Sequence, residues 1–258
     1  MSFNQTSDHT LELYINSSSD GIQGSSSLSN WTTNFPVPAN LESGRYNLAV
    51  SSASIANTFP QFHSTERKVR VNTVEFNLSR DAVYSNTGAF TTALTSQMDA
   101  SSVELVLSVD TLTQRVLLTN DGAGNATIDL AEPYLEFWKK MGYVDTGATE
   151  LVLTPAQTLL LPYVASLIPT QRVHITCDSI VNNSITPSIN NRPIMCCVNI
   201  ESNFGSYSTQ VYPYLYKHDL VSQNSLYTLK FGVYDDKSRL LEMMGGSVNL
   251  SILLSKAD

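Results

Sequence analysis

"AEPYLEFWKKMGYVD", residues 131–145, is written as a helix in a chain otherwise made of short runs of β-formers. Tyr134, Leu135, Trp138 and Met141 recur at helical spacing and make one apolar face, with Glu136, Lys139 and Lys140 on the other. Pro133 fits the first helical turn, where its missing N–H leaves no bond unmade. Gly142 fits the left-handed position that ends a helix, and Tyr143 then packs back on Trp138. Both ends are specified locally. The apolar face would suit a binding partner, but a single apolar face with fixed ends is satisfied more simply by packing on a sheet.

The chain around this helix is written in short alternating runs. "TLELYINSS" (10–18) sets Leu11, Leu13 and Ile15 against Glu12, Tyr14 and Asn16, and a loop of small residues follows it. "WTTNFPVPANL" (31–41) carries two prolines, which restrict it to an edge segment or loop. "RYNLAVSSASIAN" (45–57) and "KVRVNTVEFNLS" (68–79) alternate with period two, and Val69, Val71, Val74 and Phe76 predict a bulge where the phase slips. In "TGAFTTALTSQMD" (87–99), Phe90, Leu94 and Met98 share one helical face. "VELVLSVDTLTQRVLLTN" (103–120) reads as a hairpin turning at Asp110–Thr113, and "ATIDL" (126–130) as a further strand.

Beyond the opening helix, "LVLTPAQTLLLPYVASLIPT" (151–170) reads as irregular and broken by proline, and "QRVHITCDSIVNN" (171–183) and "RPIMCCVNIES" (192–202) as strands. "YSTQVYPYLYKHDL" (207–220) is an aromatic segment that packs across a sheet. The end, "SLYTLKFGVYDD", "SRLLEM" and "GSVNLSILL", gives three strands with turns at Asp235-Asp236 and Gly245-Gly246. About ten strand candidates at this spacing predict an all-β sandwich or barrel.

Composition narrows the function. Charged residues are 15% of the 258, against roughly 25% in ordinary soluble domains. Ser, Thr and Asn carry the polar surface instead, which suits contact with other copies or partners. A net charge of −8 and the lack of a clustered basic face exclude specific nucleic-acid binding. The short "ERKVR" (66–70) begins with an acid and runs into a strand. No secretion signal and no apolar run of about 20 residues is present, so no transmembrane segment is expected. Three cysteines, two of them adjacent, form no disulfide framework and agree with a reducing compartment.

The places that could hold chemistry fail on spacing. His174 and Cys177 on one strand point to opposite faces, as do Cys196 and Cys197, so no sheet face offers a zinc site. "DGAGN" (121–125) lacks the Lys-Ser/Thr of a phosphate loop and reads as a hairpin turn. Asp235 and Asp236 are adjacent and are expected to diverge into solvent in a turn. "FGSYS" and "GGSVN" are not nucleophile elbows, and His9, His63, His174 and His218 form no constellation. No catalytic, cofactor-binding or metal-binding residue is assigned, no cofactor is expected, and the chain is read as a non-enzyme.

Taken in order, "LAVSSASIANTF", the small helix "GAFTTALTSQM", the 103–120 hairpin, the helix closing in "KKMGY", "RVHITCDSIVNNS" and the run from "NRPIMCC" to "SVNLSILL" resemble the vertex (penton) capsid proteins of virophages and polinton-like viruses. The closing pair is matched by Leu229, Phe231 and Val233, the Asp235-Asp236 turn, Leu240, Leu241, Gly246, and Val248, Leu250 and Ile252. The resemblance spans roughly residues 45–254, and departs from the family in a weakly basic ending, "LSKAD", and in showing no long insertion between strands.

It implies a single jelly roll of two antiparallel four-stranded sheets with short helices in the connections. Residues 1–30 are then a polar N-terminal arm with the first strand and a flexible loop, ordering on assembly, and 31–258 a single jelly-roll capsid domain. The implied function is structural: a homopentamer at an icosahedral vertex, contacting the major capsid protein, located in the virion and assembled inside the infected host cell. The alternative is another jelly-roll virion component, such as a minor capsid, fibre-head or receptor- or carbohydrate-binding protein. In that case Tyr207, Tyr212, Tyr214 and Tyr216 would offer a stacking platform.

Overall fold

A computed structural model describes residues 3–7, 10–17, 30–34, 46–181, 192–213, 217–220 and 228–256. In chain order the elements are β1 (Phe3–Ser7), β2 (Thr10–Asn16), β3 (Asn30–Asn34), β4 (Tyr46–Ala56), β5 (Lys68–Val71), β6 (Val74–Asn77), α1 (Thr87–Ala100), β7 (Leu105–Val109), β8 (Arg115–Asn120) and β9 (Ala126–Asp129). There follow α2 (Leu135–Lys140), β10 (Glu150–Leu153), β11 (Thr158–Val164), β12 (Arg172–Cys177), β13 (Ile194–Asn199), β14 (Tyr207–Val211), β15 (His218–Asp219), β16 (Thr228–Tyr234) and β17 (Val248–Lys256). They divide into two compact units, residues 1–59 with 170–258, and residues 60–169.

The first unit is a jelly roll. One sheet runs β1-β2-β17-β4-β14, with β15 also paired to β4, and the other runs β13-β12-β16-β3. Lettering β2, β3, β4, β12, β13, β14, β16 and β17 as B to I gives the sheets B-I-D-G and C-H-E-F. That is the strand order of two interleaved Greek keys. The expected pair of four-stranded sheets is therefore present, widened by β1 and the short β15. The inner faces mesh through Leu13, Ile15, Leu48, Val50, Ile55, Val248, Leu250 and Ile252 on one side and Val173, Ile175, Val198, Leu229, Phe231 and Val233 on the other. Alternation puts these residues inward and Ser52, Ser54, Asn249 and Ser251 outward, which sets the register, since a one-residue slip would invert every strand.

Two expectations change here. The boundary after residue 30 cuts through the sandwich, because β2 is strand B, held by β17 from Asn249↔Asn16 to Ser255↔Thr10. The expected single unit over 31–258, without a long insertion, gives way to an insertion of 60–169 between strands D and E. It has its own core. Phe62, Val69, Val71, Phe90, Leu94, Met98, Val116, Leu118, Ile128, Phe137, Trp138 and Met141 form one buried cluster.

Within the insertion, β10-β9-β5-β6 make one sheet and β11-β8-β7 another, all neighbours antiparallel. α1 begins where the Asn86 side chain accepts from the Ala89 N–H at 2.8 Å, and buries Phe90, Leu94 and Met98 as the spacing predicts. The expected bulge at 68–79 is instead a hairpin, in which Asn72 takes a positive φ of 55° and reverses the chain between β5 and β6. Residues 151–170, read as irregular, supply β10 and the edge strand β11. Pro162 is tolerated where the β11–β8 register shifts, because the ladder needs no donor there. "SRLLEM" is not a strand; only Leu240 bridges, to Tyr234.

The opening helix is α2, and it is more buried than its pattern suggests. Phe137, Trp138 and Met141 are all fully buried in the core of the insertion. Its end is a Schellman motif: the Gly142 N–H donates to the Lys139 carbonyl at 3.1 Å and the Tyr143 N–H to the Trp138 carbonyl at 2.9 Å. Gly142 has φ +100°, and any Cβ there would lie 2.0 Å from the Tyr163 carbonyl oxygen, so only glycine fits. Lys140, on the face that reads as polar, is buried and pairs with the buried Glu66 at 3.1 Å. Among the described residues no helix is long and apolar enough to cross a membrane.

Candidate functional site

The residues with chemical potential are placed first. Cys177 and Cys196 lie in the jelly-roll core, where burial pushes both thiols up to about 12. His174 and Cys197 face each other across β12 and β13 on the opposite side of that sheet, with His174 Nδ1 3.1 Å from Cys197 Sγ. The four residues thus divide between the two faces as their spacing predicts. Burial lowers the pKa of His174 and raises that of Cys197, so the contact is between a neutral imidazole and a protonated thiol. A thiol in that state is a poor nucleophile. Among the described residues no three His, Cys, Asp or Glu side chains gather as a metal set.

The other histidines serve the fold. His63 caps the Ser64–Glu66 turn in a reciprocal box, its N–H donating to Glu66 Oε2 at 3.1 Å. His218 Nε2 meets the Met195 carbonyl oxygen at 3.1 Å. His9 lies outside the described residues.

"DGAGN" is a turn clamped by Asn120, whose Nδ2 donates to the Gly124 and Leu153 carbonyls at 2.8 Å each and whose Oδ1 accepts the Gly122 N–H at 3.1 Å. That N–H is spent on the turn and is not offered to a phosphate. Asp236 is exposed, but Asp235 is not: it is buried, accepting from the Lys237 and Arg239 N–H groups at 2.9 and 2.8 Å and from Arg239 Nε at 2.7 Å. The expectation that both diverge into solvent fails for Asp235, because a cation four residues on folds back over it. In "GGSVN" the Ser247 hydroxyl meets the Tyr207 hydroxyl at 3.1 Å. The cations of "ERKVR" are engaged as well: Lys68 with Glu75 at 3.5 Å, Arg70 with Asp129 at 3.4 Å, and Arg67 Nε on the Phe62 carbonyl at 3.0 Å.

Of the aromatic run, Tyr207 is exposed, Tyr212 is half-buried and donates its hydroxyl to the Cys197 carbonyl, and Tyr214 and Tyr216 lie outside the described residues. Tyr207 and Tyr212 are each tied into the jelly roll through the hydroxyl.

What remains as a functional surface is the outer face of the B-I-D-G sheet. Neutral side chains cross-link it strand to strand: Asn16 to Asn249 at 2.6 Å, Ser51 to Ser251 at 2.7 Å and Ser54 to Thr209 at 2.9 Å. Glu12 is held in the same array by Ser251 at 2.8 Å. Tyr14 and Tyr207 are exposed at its margins. The alternation of Ser with aliphatic residues in "VSSASI" and "VNLSILLS" was the signal for it. Such a surface can be covered by another protein without stripping water from many ions.

No protein-family model and no curated protein matches the chain. Among solved structures, the mavirus penton protein aligns at 12% identity and a TM-score of 0.48, over 97% of this chain and 100% of that one. A chain of the Sputnik virophage particle aligns at 11% identity and a TM-score of 0.47, over 97% of this chain and 98% of its own.

Proposed function

We propose that this chain is a structural capsid protein of the virophage and polinton-like vertex type, assembling as a homopentamer and contacting the major capsid protein in the virion. The observation that carries the reading is a jelly roll, lettered B-I-D-G over C-H-E-F, whose outer B-I-D-G face is an almost uncharged Ser/Thr/Asn array. A ring of identical chains meets head to tail, one surface on a different surface, and closes only if the rotation closes. Neutral hydroxyl and amide side chains suit that geometry, because neither surface needs a matching charge on the other. No substrate is turned over in this role, and assembly takes place inside the infected host cell.

Light scattering on the purified chain, alone and co-expressed with the major capsid protein of the same virus, tests the proposal. The expected mass is five times the 28.3 kDa chain, either free or within particles. A chain that stays monomeric alone and never enters particles contradicts it.

A further inference from the structure

The inserted unit carries a second polar surface, on its four-stranded sheet. Register across its sheet β10-β9-β5-β6 places Glu150 opposite Asp129, and Arg70 opposite Glu75, with Val71 paired to Ile128 bringing Arg70 beside Asp129. Ile128, Val69 and Val71 belong to the core cluster and the half-buried Leu151 packs against it, so the charged residues of the same strands share the outer face. The row across the four strands reads acid, acid, base, acid.

Directly opposed like charges destabilise a strand pair. Glu150 and Asp129 stand in that arrangement, and Arg70 answers only Asp129, at 3.4 Å, and Glu75, at 3.9 Å. Among the described residues no ion pair engages Glu150. Arg70 and the Ala131 N–H, which donates to Asp129 Oδ1 at 2.9 Å, offset the charge on Asp129, so Glu150 is the member of the row left to face outward.

The row lies in a cleft of about 480 Å³ lined by Arg70, Asn72, Thr127, Asp129, Thr149 and Glu150, with Thr73 and Ala131 at its sides. That volume falls within the roughly 300–1,000 Å³ of small-molecule sites. Asn72 uses its Oδ1 on the Thr127 N–H at 2.9 Å, which leaves its amide N–H groups for a ligand. The Thr73, Thr127 and Thr149 hydroxyls make no side-chain hydrogen bond among the described residues. Arg70 Nε is buried without an acceptor.

The mixture of groups selects the ligand. An anion would meet Asp129 and Glu150 against one arginine that is already engaged. An ammonium group offers donors alone and would leave the Asn72 amide N–H groups without an acceptor. An apolar ligand would find only Ala131. A neutral sugar brings hydroxyls that each donate and accept, so neighbouring hydroxyls can donate hydrogen bonds to Glu150 and Asp129 while accepting them from Asn72 and the threonines.

We propose that this cleft on the inserted unit binds a neutral saccharide. The full chain is applied to an array carrying both uncharged and sialylated or sulfated glycans, and the strongest neutral glycan is then titrated by calorimetry. Binding confined to uncharged glycans is expected, and Glu150→Gln and Thr149→Val should each weaken it about tenfold or more, the size of a lost hydrogen bond to a charged or well-placed partner. Glu150→Gln relieves the repulsion against Asp129, so it should melt no lower than the natural chain, and its loss of binding is then not a loss of folding. Absence of any neutral hit, hits confined to anionic glycans, or undiminished binding by both variants overturns the proposal. The oligomeric mass is indifferent to all of these results, so the capsid reading stands or falls separately.

Discussion

The jelly roll and the unit inserted into it solve the same problem with different materials. In the jelly roll, strands from opposite ends of the chain lie side by side, β2 and β4 flanking β17, and their inner faces are filled mainly by Val, Leu and Ile. Two sheets packed face to face leave a thin, even layer that aliphatic side chains fill well. In the insertion β5–β6 and β7–β8 are hairpins and every other partner comes from within the same unit, and helices close on the sheets with rings: Phe62 to Phe90 at 5.0 Å, Phe90 to Phe137 at 6.1 Å and Phe137 to Trp138 at 4.9 Å. A helix on a small sheet leaves wider gaps, and aromatic side chains bury the most area per residue in them. The first region is a long-range scaffold and the second a self-contained local fold.

If the two cores are separate, damage should stay where it is made. Trp138→Ala should cost the insertion about 3–5 kcal/mol, the range for large aromatic truncations. Chemical denaturation followed by signals from each unit should show the insertion unfolding early while the jelly-roll transition is unmoved; a shared shift would break the comparison. Asp235→Ala removes the acceptor of three hydrogen bonds, two from backbone N–H groups and one from Arg239, and should cost the jelly roll on the order of 2–3 kcal/mol with little effect on 60–169.

A smaller, pH-dependent difference follows from which groups each unit buries. In the jelly roll, burial holds His174 and His218 below the ordinary histidine value. The unfolded chain therefore takes up their protons first, and the stability they contribute is full above about pH 6.5 and is lost as pH falls through their lower folded values. In the insertion the groups with depressed values are carboxylates: Glu75, held down chiefly by the Tyr134 hydroxyl, Asp110 by Thr113, and Asp145 by the Gly147 N–H. Their contribution is full above about pH 4 and is lost as pH falls through their lower folded values. Thermal melts at pH 7 and pH 5 should show the jelly roll giving up more stability than the insertion; equal loss would contradict this account.

The same contrast explains what could be read in advance. Strands of the jelly roll were legible because each buries one face, so Leu13 and Ile15, or Leu250 and Ile252, alternate visibly with polar residues. Strand partners were not legible, because alternation with period two says nothing about which strand lies beside which. Val69 and Val71 in the insertion carry the same signature as Val173 and Ile175 in the sandwich, and so a separate unit was read as more of one sheet pair. Gly142 and Tyr143 were read correctly since a Schellman end depends on neighbours within one turn. Lys140 was not, because its partner Glu66 is brought to it only by the folding of the insertion. The polar cleft was invisible for the same reason: Arg70, Asp129 and Glu150 meet through strand register, not through spacing.

Hydrogen exchange followed by mass spectrometry on the full chain, with and without Ile252→Ala, tests the central claim most directly, since exchange reports the cooperative units of a fold. Ile252 is fully buried between the sheets of the jelly roll. The expected result is that 10–16, 46–56, 172–177 and 248–256 lose protection together although they are far apart in sequence, while 68–77, 87–120 and 126–164 keep theirs. Loss of protection at 46–56 that spreads into 68–120 but spares 10–16 would contradict a jelly roll whose sequence is interrupted by a unit with its own core.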